Sequence, residues 1–253
     1  MGEWILVSGA GTGIGRAIAT RMAEEGRHIL LLGRTEETLE NTRASLSNPD
    51  QHKIIVADVR DPNSLRKGLL EAETGPLHGI IANAGVGGEN QYGPEDRWNA
   101  IIDTNLTGVY YLVNEALPYL KLQRSQDFRH ILITSSVLAR LGVPGYAAYC
   151  ASKAGLLGLM RVWAATFAAE NILVNALCPG WVETEMAKEG LDSFARSSGQ
   201  TYEDVKREQM AMVPLGKMST PDEIAAFASF LLAGSQTSIT GQVLDINNGS
   251  IMP

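Results

Sequence analysis

Short β-branched or leucine-rich runs alternate along the chain with longer stretches of helical periodicity. The runs fall at 4–7 (WILV), 28–33 (HILLLG), 53–59 (KIIVADV), 77–85 (LHGIIANAG), 130–136 (HILITSS), 172–180 (ILVNALCPG) and 242–247 (QVLDIN). Most are apolar on both faces, the pattern of parallel strands covered by helices on two sides. Helical stretches lie between them at about 13–26, 36–47, 62–74, 94–121, 147–170 and 220–233. Repeated βα units with short links predict an α/β fold: a doubly wound parallel sheet of about seven strands, helices on both faces, right-handed crossovers. No Pro/Ser-rich linker or low-complexity tract divides the 253 residues, so one domain over 1–253 is expected. Residues 181–215 break the rhythm with a long polar insertion of weak helical pattern, expected to act as a substrate lid.

Composition narrows the class. Apolar residues make up 45%, enough for a large core, and the formal charge is -7 with no basic block. Nucleic acid and anionic membrane are therefore not expected as partners. The longest apolar tract, 154–169, is interrupted by Arg161 and is too short to span a bilayer. The N-terminus MGEWILVSGAG lacks a basic leader, so a cytoplasmic protein is expected. Cys150 and Cys178 read as two reduced thiols, and no His/Cys spacing suits a metal.

The chemistry-bearing stretches sit where the predicted strands end. The first strand runs into SGAGTGIGRAIA, with glycines at Gly9, Gly11, Gly13 and Gly15. Glycines at a strand-to-helix turn let backbone approach a pyrophosphate, and the helix start supplies amide donors. The spacing is G-x-x-x-G-x-G rather than the common G-x-G-x-x-G. After the second strand, where an acid would hold ribose hydroxyls, stand Gly33 and Arg34. An arginine fork suits a 2′-phosphate, so NADP(H) is favoured and NAD(H) is the alternative; Arg34 could instead pair with Glu36 or Glu37. Asp58, followed by Val59, either accepts from an adenine amino group or belongs with Asp61 to a helix start.

Trp98, Ile102, Asn105, Val109, Leu112 and Ala116 recur on one helical face. Asn105 is the polar member of that stripe, so it either satisfies neighbouring backbone or organises water near a site. The fifth strand ends at Ser135-Ser136. In the following YAAYCASK, Tyr149 lies four residues before Lys153 and Tyr146 seven before it. A phenol titrates near ~10, and lowering it toward ~7 needs about 4 kcal/mol. A cation at about 4 Å and an effective dielectric near ~20 supplies that much.

Taken together, SGAGTGIG (8–15), ANAG (82–85), Asn105 in NLTG, Ser136, Tyr149-x-x-x-Lys153, CPGWVET (178–184) and ITGQVLDINNG (239–249) resemble the short-chain dehydrogenase/reductase family over essentially the whole chain. The resemblance implies a Rossmann-like fold and a catalytic set of Asn105, Ser136, Tyr149 and Lys153. Tyr149 would act as acid/base, Lys153 would lower its pKa and hold the nicotinamide ribose, Ser136 would polarise the carbonyl, and Asn105 would support a water relay. It also implies cofactor contacts from Gly9, Thr12, Gly13, Ile14, Gly15, Arg34, Asp58, Val59, Asn83, Ala84, Gly85, Pro179, Gly180, Val182 and Thr184. Ser136, Leu138, Tyr146, Trp181 and Met186 would line the substrate pocket, while Met210 and Met212 read as core. A sister group, the enoyl-thioester reductases, uses the tyrosine seven before the lysine; the retained G-x-x-x-G-x-G loop and Ser136 favour Tyr149. The motifs CPGWVETEM and VPLGKMSTPDEIA are closest to reductases of 3-oxoacyl thioesters and polyketides, with alicyclic ketone reductases and NAD-dependent alcohol dehydrogenases as alternatives.

Three positions depart from the family pattern: Ser8 for threonine, Ala82 for the first asparagine of NNAG, and Asn248 for a glycine. A homotetramer or homodimer joined through helices 94–121 and 147–170 is the further expectation. A non-catalytic nucleotide-binding regulator is the reading of a different class. A serine hydrolase is set aside, since Ser136 has neither a G-x-S-x-G elbow nor a placed histidine.

Overall fold

The computed structural model describes residues 3–90, 92–121 and 127–252. Seven strands form one parallel sheet: β1 Trp4–Ser8, β2 His28–Gly33, β3 Lys53–Val56, β4 Leu77–Ala82, β5 Arg129–Thr134, β6 Ile172–Pro179 and β7 Val243–Ile246. Their order is β3-β2-β1-β4-β5-β6-β7. The direction of winding reverses between β1 and β4, and a crevice opens there at the carboxyl ends of the strands. Helices α1 Gly13–Glu24, α2 Glu36–Ser45, α3 Pro62–Ala72, α4 Trp98–Ile102, α5 Gly108–Lys121, α6 Ala147–Phe167, α7 Glu185–Ser198, α8 Tyr202–Ala211 and α9 Pro221–Leu231 complete the framework.

Alternation along β1 shows how the layers form. Ile5 and Val7 face one cluster with Ile18 and Met22 of α1 and Ile224 of α9. Leu6 faces the opposite cluster with Leu65 of α3, Leu112 of α5 and Met160 of α6. All these side chains are wholly buried or nearly so. Each contributes about 1.5–3 kcal/mol of apolar transfer, which is why strands reading as continuous apolar runs end up in the middle of the sheet.

Three expectations are corrected. Strands β3 and β4 end at Val56 and Ala82, so residues 57–59 and 83–85 are free to turn at the sheet edge. The helix expected over 94–121 starts at Trp98 and contains a π turn at Asp103–Thr107, where Gly108 N–H donates to Asp103 O. The extra residue rotates the buried face. Ile101, Thr104 and Asn105 turn inward, while Trp98, expected in the stripe, is 43% exposed.

The insertion at 181–215 is more ordered than its pattern predicts. Thr184 caps α7 by accepting from Ala187 N, Gly199 ends it with φ +68, and Thr201 caps α8 by accepting from Asp204 N. Leu191, Ala195, Val205 and Met218 form a small core beneath the pair. Its base is pinned by Glu183 N–H to Ser219 O at 2.9 Å and Ser219 N–H to Trp181 O at 2.9 Å.

Candidate active site

At the end of β1 the chain turns through Gly9 (φ +66), and a Cβ there would lie 3.0 Å from Ala84 Cα. A Cβ on Gly15 would lie 2.2 Å from the Gly9 carbonyl oxygen. The glycines therefore let the loop, the β4 turn and α1 close on one another. The Ser8 hydroxyl ties the same corner, donating to Ile81 O at 3.3 Å and accepting from Asn83 N and Ala84 N at 3.0 Å. The serine in place of threonine keeps that junction. Ala82, 1% exposed, fills core beneath it, and Asn83 Nδ2 adds a bond to Ser8 O at 3.2 Å.

Helices α3, α7, α8 and α9 each start on a side-chain cap, whereas Thr12 places no side-chain bond on α1. First-turn amides left without a capping oxygen, at a glycine turn in the switch-point crevice, fit the pyrophosphate of a dinucleotide.

At the far end of this cleft, Arg34 is exposed. Among the described residues it makes no ion pair with Glu36 or Glu37. Asp58 is engaged: Arg60 Nη2 meets its Oδ2 at 2.6 Å and Arg60 Nε its Oδ1 at 3.0 Å. That fork holds the Asp58 carboxyl below the usual range. Asp61, not Asp58, caps α3 by accepting from Asn63 N. Val59 is 6% exposed and packs where a Cβ on Gly108 would fall, 2.7 Å from its Cγ2.

Lys153, 5% exposed, projects from α6 to the sheet edge and donates to Thr134 O at 2.9 Å. Burial drives its pKa down to about 8. Ser135 Oγ donates to Lys153 O at 2.9 Å, binding the end of β5 to the same turn of α6. Lys153 Nζ stands 5.6 Å from the Tyr149 ring centroid. Burial pushes the phenol up to about 12, with a hydrogen bond from Ser136 pulling the other way. Desolvation is the largest influence on this phenol. Ser136 Oγ accepts from Leu138 N at 3.1 Å.

Asn105 is wholly buried, and its amide is fully used. Oδ1 accepts from Val86 N at 2.8 Å, and Nδ2 donates to Val86 O at 2.9 Å and Ser152 Oγ at 3.3 Å. Its side chain satisfies the Val86 backbone in both directions. Gly85 lies against it, 3.2 Å from Oδ1 to a built Cβ.

A cavity of about 540 Å³ joins these groups. Gly9, Thr12, Gly13, Ile14, Asn83, Ala84 and Gly85 line one end; Tyr149, Ser136, Lys153, Pro179, Gly180, Val182 and Thr184 line the centre; Leu138, Tyr146, Trp181 and Met186 line the other. Gly15, Arg34, Asp58, Val59 and Asn105 do not face it. Met212, expected in the core, is 67% exposed and lines the cavity, whereas Met210 packs against the small core of α7 and α8.

Two contributors carried no expectation. Phe194 lies 5.7 Å from the Tyr146 ring and 6.5 Å from Trp181. It shares a cavity-facing stripe of α7 with Met186 and Gly190, each four residues apart, a spacing visible in the sequence. Asn90, 4% exposed, accepts from Ala148 N at 3.1 Å and fastens the 83–97 loop to the start of α6. A lone polar residue in a glycine-rich loop gives no sequence signal of that kind.

Residues 9–250 match a family profile described as Enoyl-(Acyl carrier protein) reductase. The chain is 30% identical to the 3-oxoacyl-(acyl-carrier-protein) reductase FabG of Thermotoga maritima, over 99% of this chain and 98% of that one.

This chain belongs to the short-chain dehydrogenase/reductase family.

It is also 33% identical to a monensin polyketide synthase putative ketoacyl reductase of Streptomyces virginiae, over 96% of this chain and 95% of that one. A crystal structure of an actinorhodin polyketide ketoreductase variant with NADPH superposes with a TM-score of 0.92 at 29% identity, covering 98% of this chain and 97% of that one. Membership makes this chain an oxidoreductase on a Rossmann-like sheet. The enoyl and oxoacyl names attached to its relatives part at the two tyrosines. In this short-chain reductase Tyr149 stands beside Lys153 and Ser136, while Tyr146 lies tilted against Phe194, with Glu89 close enough to help burial push its phenol up to about 12.

Proposed function

We propose that the protein reduces a ketone to a secondary alcohol with NADPH, Tyr149 acting as proton donor beside Ser136 and Lys153. The observation that carries this is geometric: Tyr149, Ser136 and Lys153 line one cavity, Lys153 Nζ stands 5.6 Å from the Tyr149 ring centroid, and burial keeps the phenol in the protonated form an acid catalyst needs. When bound, the reduced nicotinamide supplies the hydride. Tyr149 then gives its proton to the carbonyl oxygen, completing the alcohol, and recovers a proton from solvent. Ser136 donates a hydrogen bond to the developing oxyanion and to the phenolate that follows. Lys153, held by Thr134, keeps a positive charge within reach of both and orients the ribose. Asn105 positions the Val86 backbone beside that lysine.

NADP(H) is preferred to NAD(H) because Arg34 is unpaired by its acidic neighbours and no acid ends β2. The polyketide reductase structure that superposes on this chain was determined with NADPH. Exposed Tyr110 and Val162 on α5 and α6 favour self-association as a homotetramer or homodimer. Helices α7 and α8 serve as the substrate lid.

Incubation with C4-deuterated NADPH and a ketone tests the reaction class. Product with one deuterium on the carbinol carbon is expected. In a parallel incubation with an enoyl thioester, deuterium on the β-carbon of the saturated thioester, with no ketone reduced, would overturn the proposal.

A further inference from the structure

Resting on the ketone reductase reading, the pocket itself narrows the substrate class. Three elements present aromatic faces to it: Tyr146 at the start of α6, Trp181 after β6, and Phe194 on α7. Gly190 brings Trp181 down onto α7, a built Cβ lying 3.7 Å from its ring, and Gly87 lets Met186 approach to 3.0 Å on the same measure. Such a wall favours a flat ring over a flexible chain.

Tyr146 is 7% exposed and lines the cavity, and no group among the described residues hydrogen-bonds its hydroxyl. A hydroxyl that opens on a cavity is free to donate to a ligand oxygen bound there. Burial and the neighbouring Glu89 keep that phenol protonated and thus a donor.

Charge at the mouth points the same way. Among the lining residues the charged ones are Lys153, committed at depth to Thr134, and Glu185 at the rim. Helices α7 and α8 carry six acidic and four basic residues, and the 86–97 loop three acidic and one basic. Lys188 and Arg207 among those bases are already near Glu185 and Asp204. A phosphate-bearing coenzyme arm or an acidic carrier protein is held by cations, and apart from Lys153 the charged residue lining the cavity is the anion Glu185.

We propose that the substrate is a neutral cyclic ketone bearing a second oxygen, its ring against Tyr146, Phe194 and Trp181 and its second oxygen accepting from the Tyr146 hydroxyl, and is not a thioester on a coenzyme or carrier. Tyr146 is thus a specificity-determining residue, distinct from the proton donor.

The test compares steady-state reduction of cyclohexane-1,4-dione, cyclohexanone and acetoacetyl-coenzyme A by the full chain with NADPH. The dione is expected to exceed cyclohexanone about tenfold in kcat/KM, and acetoacetyl-coenzyme A by more. In Tyr146→Phe the dione-over-monoketone ratio falls to about one, through a raised KM. Higher kcat/KM for the thioester, or an unchanged ratio in Tyr146→Phe, would overturn the inference while leaving the ketone reductase reading standing. Reduction of none of the three would overturn both. Near-ultraviolet circular dichroism of Tyr146→Phe checks that the variant folds; if it does not, Tyr146→Trp, which keeps an aromatic face and moves the donor, must also lose the dione preference.

Discussion

At the scale of the residue, the balance at Tyr149 decides what the site can do. A distance of about 4 Å from a free lysine would lower a phenol by several pKa steps. Here Lys153 stands 5.6 Å from the ring centroid and is bonded to Thr134, and burial is the largest influence on the phenol. The spacing of tyrosine, lysine and serine was legible in the sequence; the outcome of their competition was not, because it depends on desolvation and on a carbonyl from another strand. The sign follows for pH. With the phenol protonated below about 12, ketone reduction is expected to hold a plateau from about pH 6 and to decline above about pH 8, where Lys153 loses its charge, while oxidation of the alcohol, which needs the phenolate, rises with pH. Initial rates in both directions across that range check this. A reduction rate that falls with a pKa near 7 would place the proton donor elsewhere.

At the scale of the element, strands were legible because two-sided burial writes itself as uninterrupted apolar runs. The break at 103–107 was not, since a π turn changes the number of residues per turn without changing their kind. Helices α7 and α8 were hidden for another reason: only a few of their side chains, such as Leu191 and Val205, reach a core, so their apolar stripe is thin. Asn248 shows a departure absorbed locally. It adopts φ +55, the conformation a glycine would favour, and its Nδ2 bonds Lys217 O at 3.0 Å and Ser219 Oγ at 3.1 Å. Asn90 joins two elements around the pocket, so Asn90→Ala leaves the Ala148 amide without its partner. A loss of about 1–3 kcal/mol in urea unfolding is expected, with faster hydrogen exchange in residues 83–97. Unchanged exchange there would show that the loop is held by other contacts.

At the scale of the whole molecule, the sheet separates two chemistries. The carboxyl edge carries Ser136, Tyr149 and Lys153, and the opposite edge carries the histidines: His28, His78 and His130 at strand starts and His52 just before β3. That placement also removes the serine hydrolase reading, since Ser136 has no imidazole on its side of the sheet. Burial lowers His130 to about 3 and holds His52 and His78 below their usual value. An unfolded histidine titrates near ~6.5, so stability from these neutral rings is present above that pH and lost as pH falls below it. The urea midpoint is expected to be lower at pH 5 than at pH 7.5, and equal midpoints would contradict the burial argument. No helix among the described residues is long and apolar enough to cross a membrane. The central claim, that Tyr149 rather than Tyr146 delivers the proton to a ketone, is tested most directly by NADPH oxidation with cyclohexane-1,4-dione in wild type, Tyr149→Phe and Tyr146→Phe. The account predicts that Tyr149→Phe lowers kcat by about 10²–10⁴-fold while Tyr146→Phe acts mainly on KM. A collapse of kcat in Tyr146→Phe with Tyr149→Phe spared would contradict it.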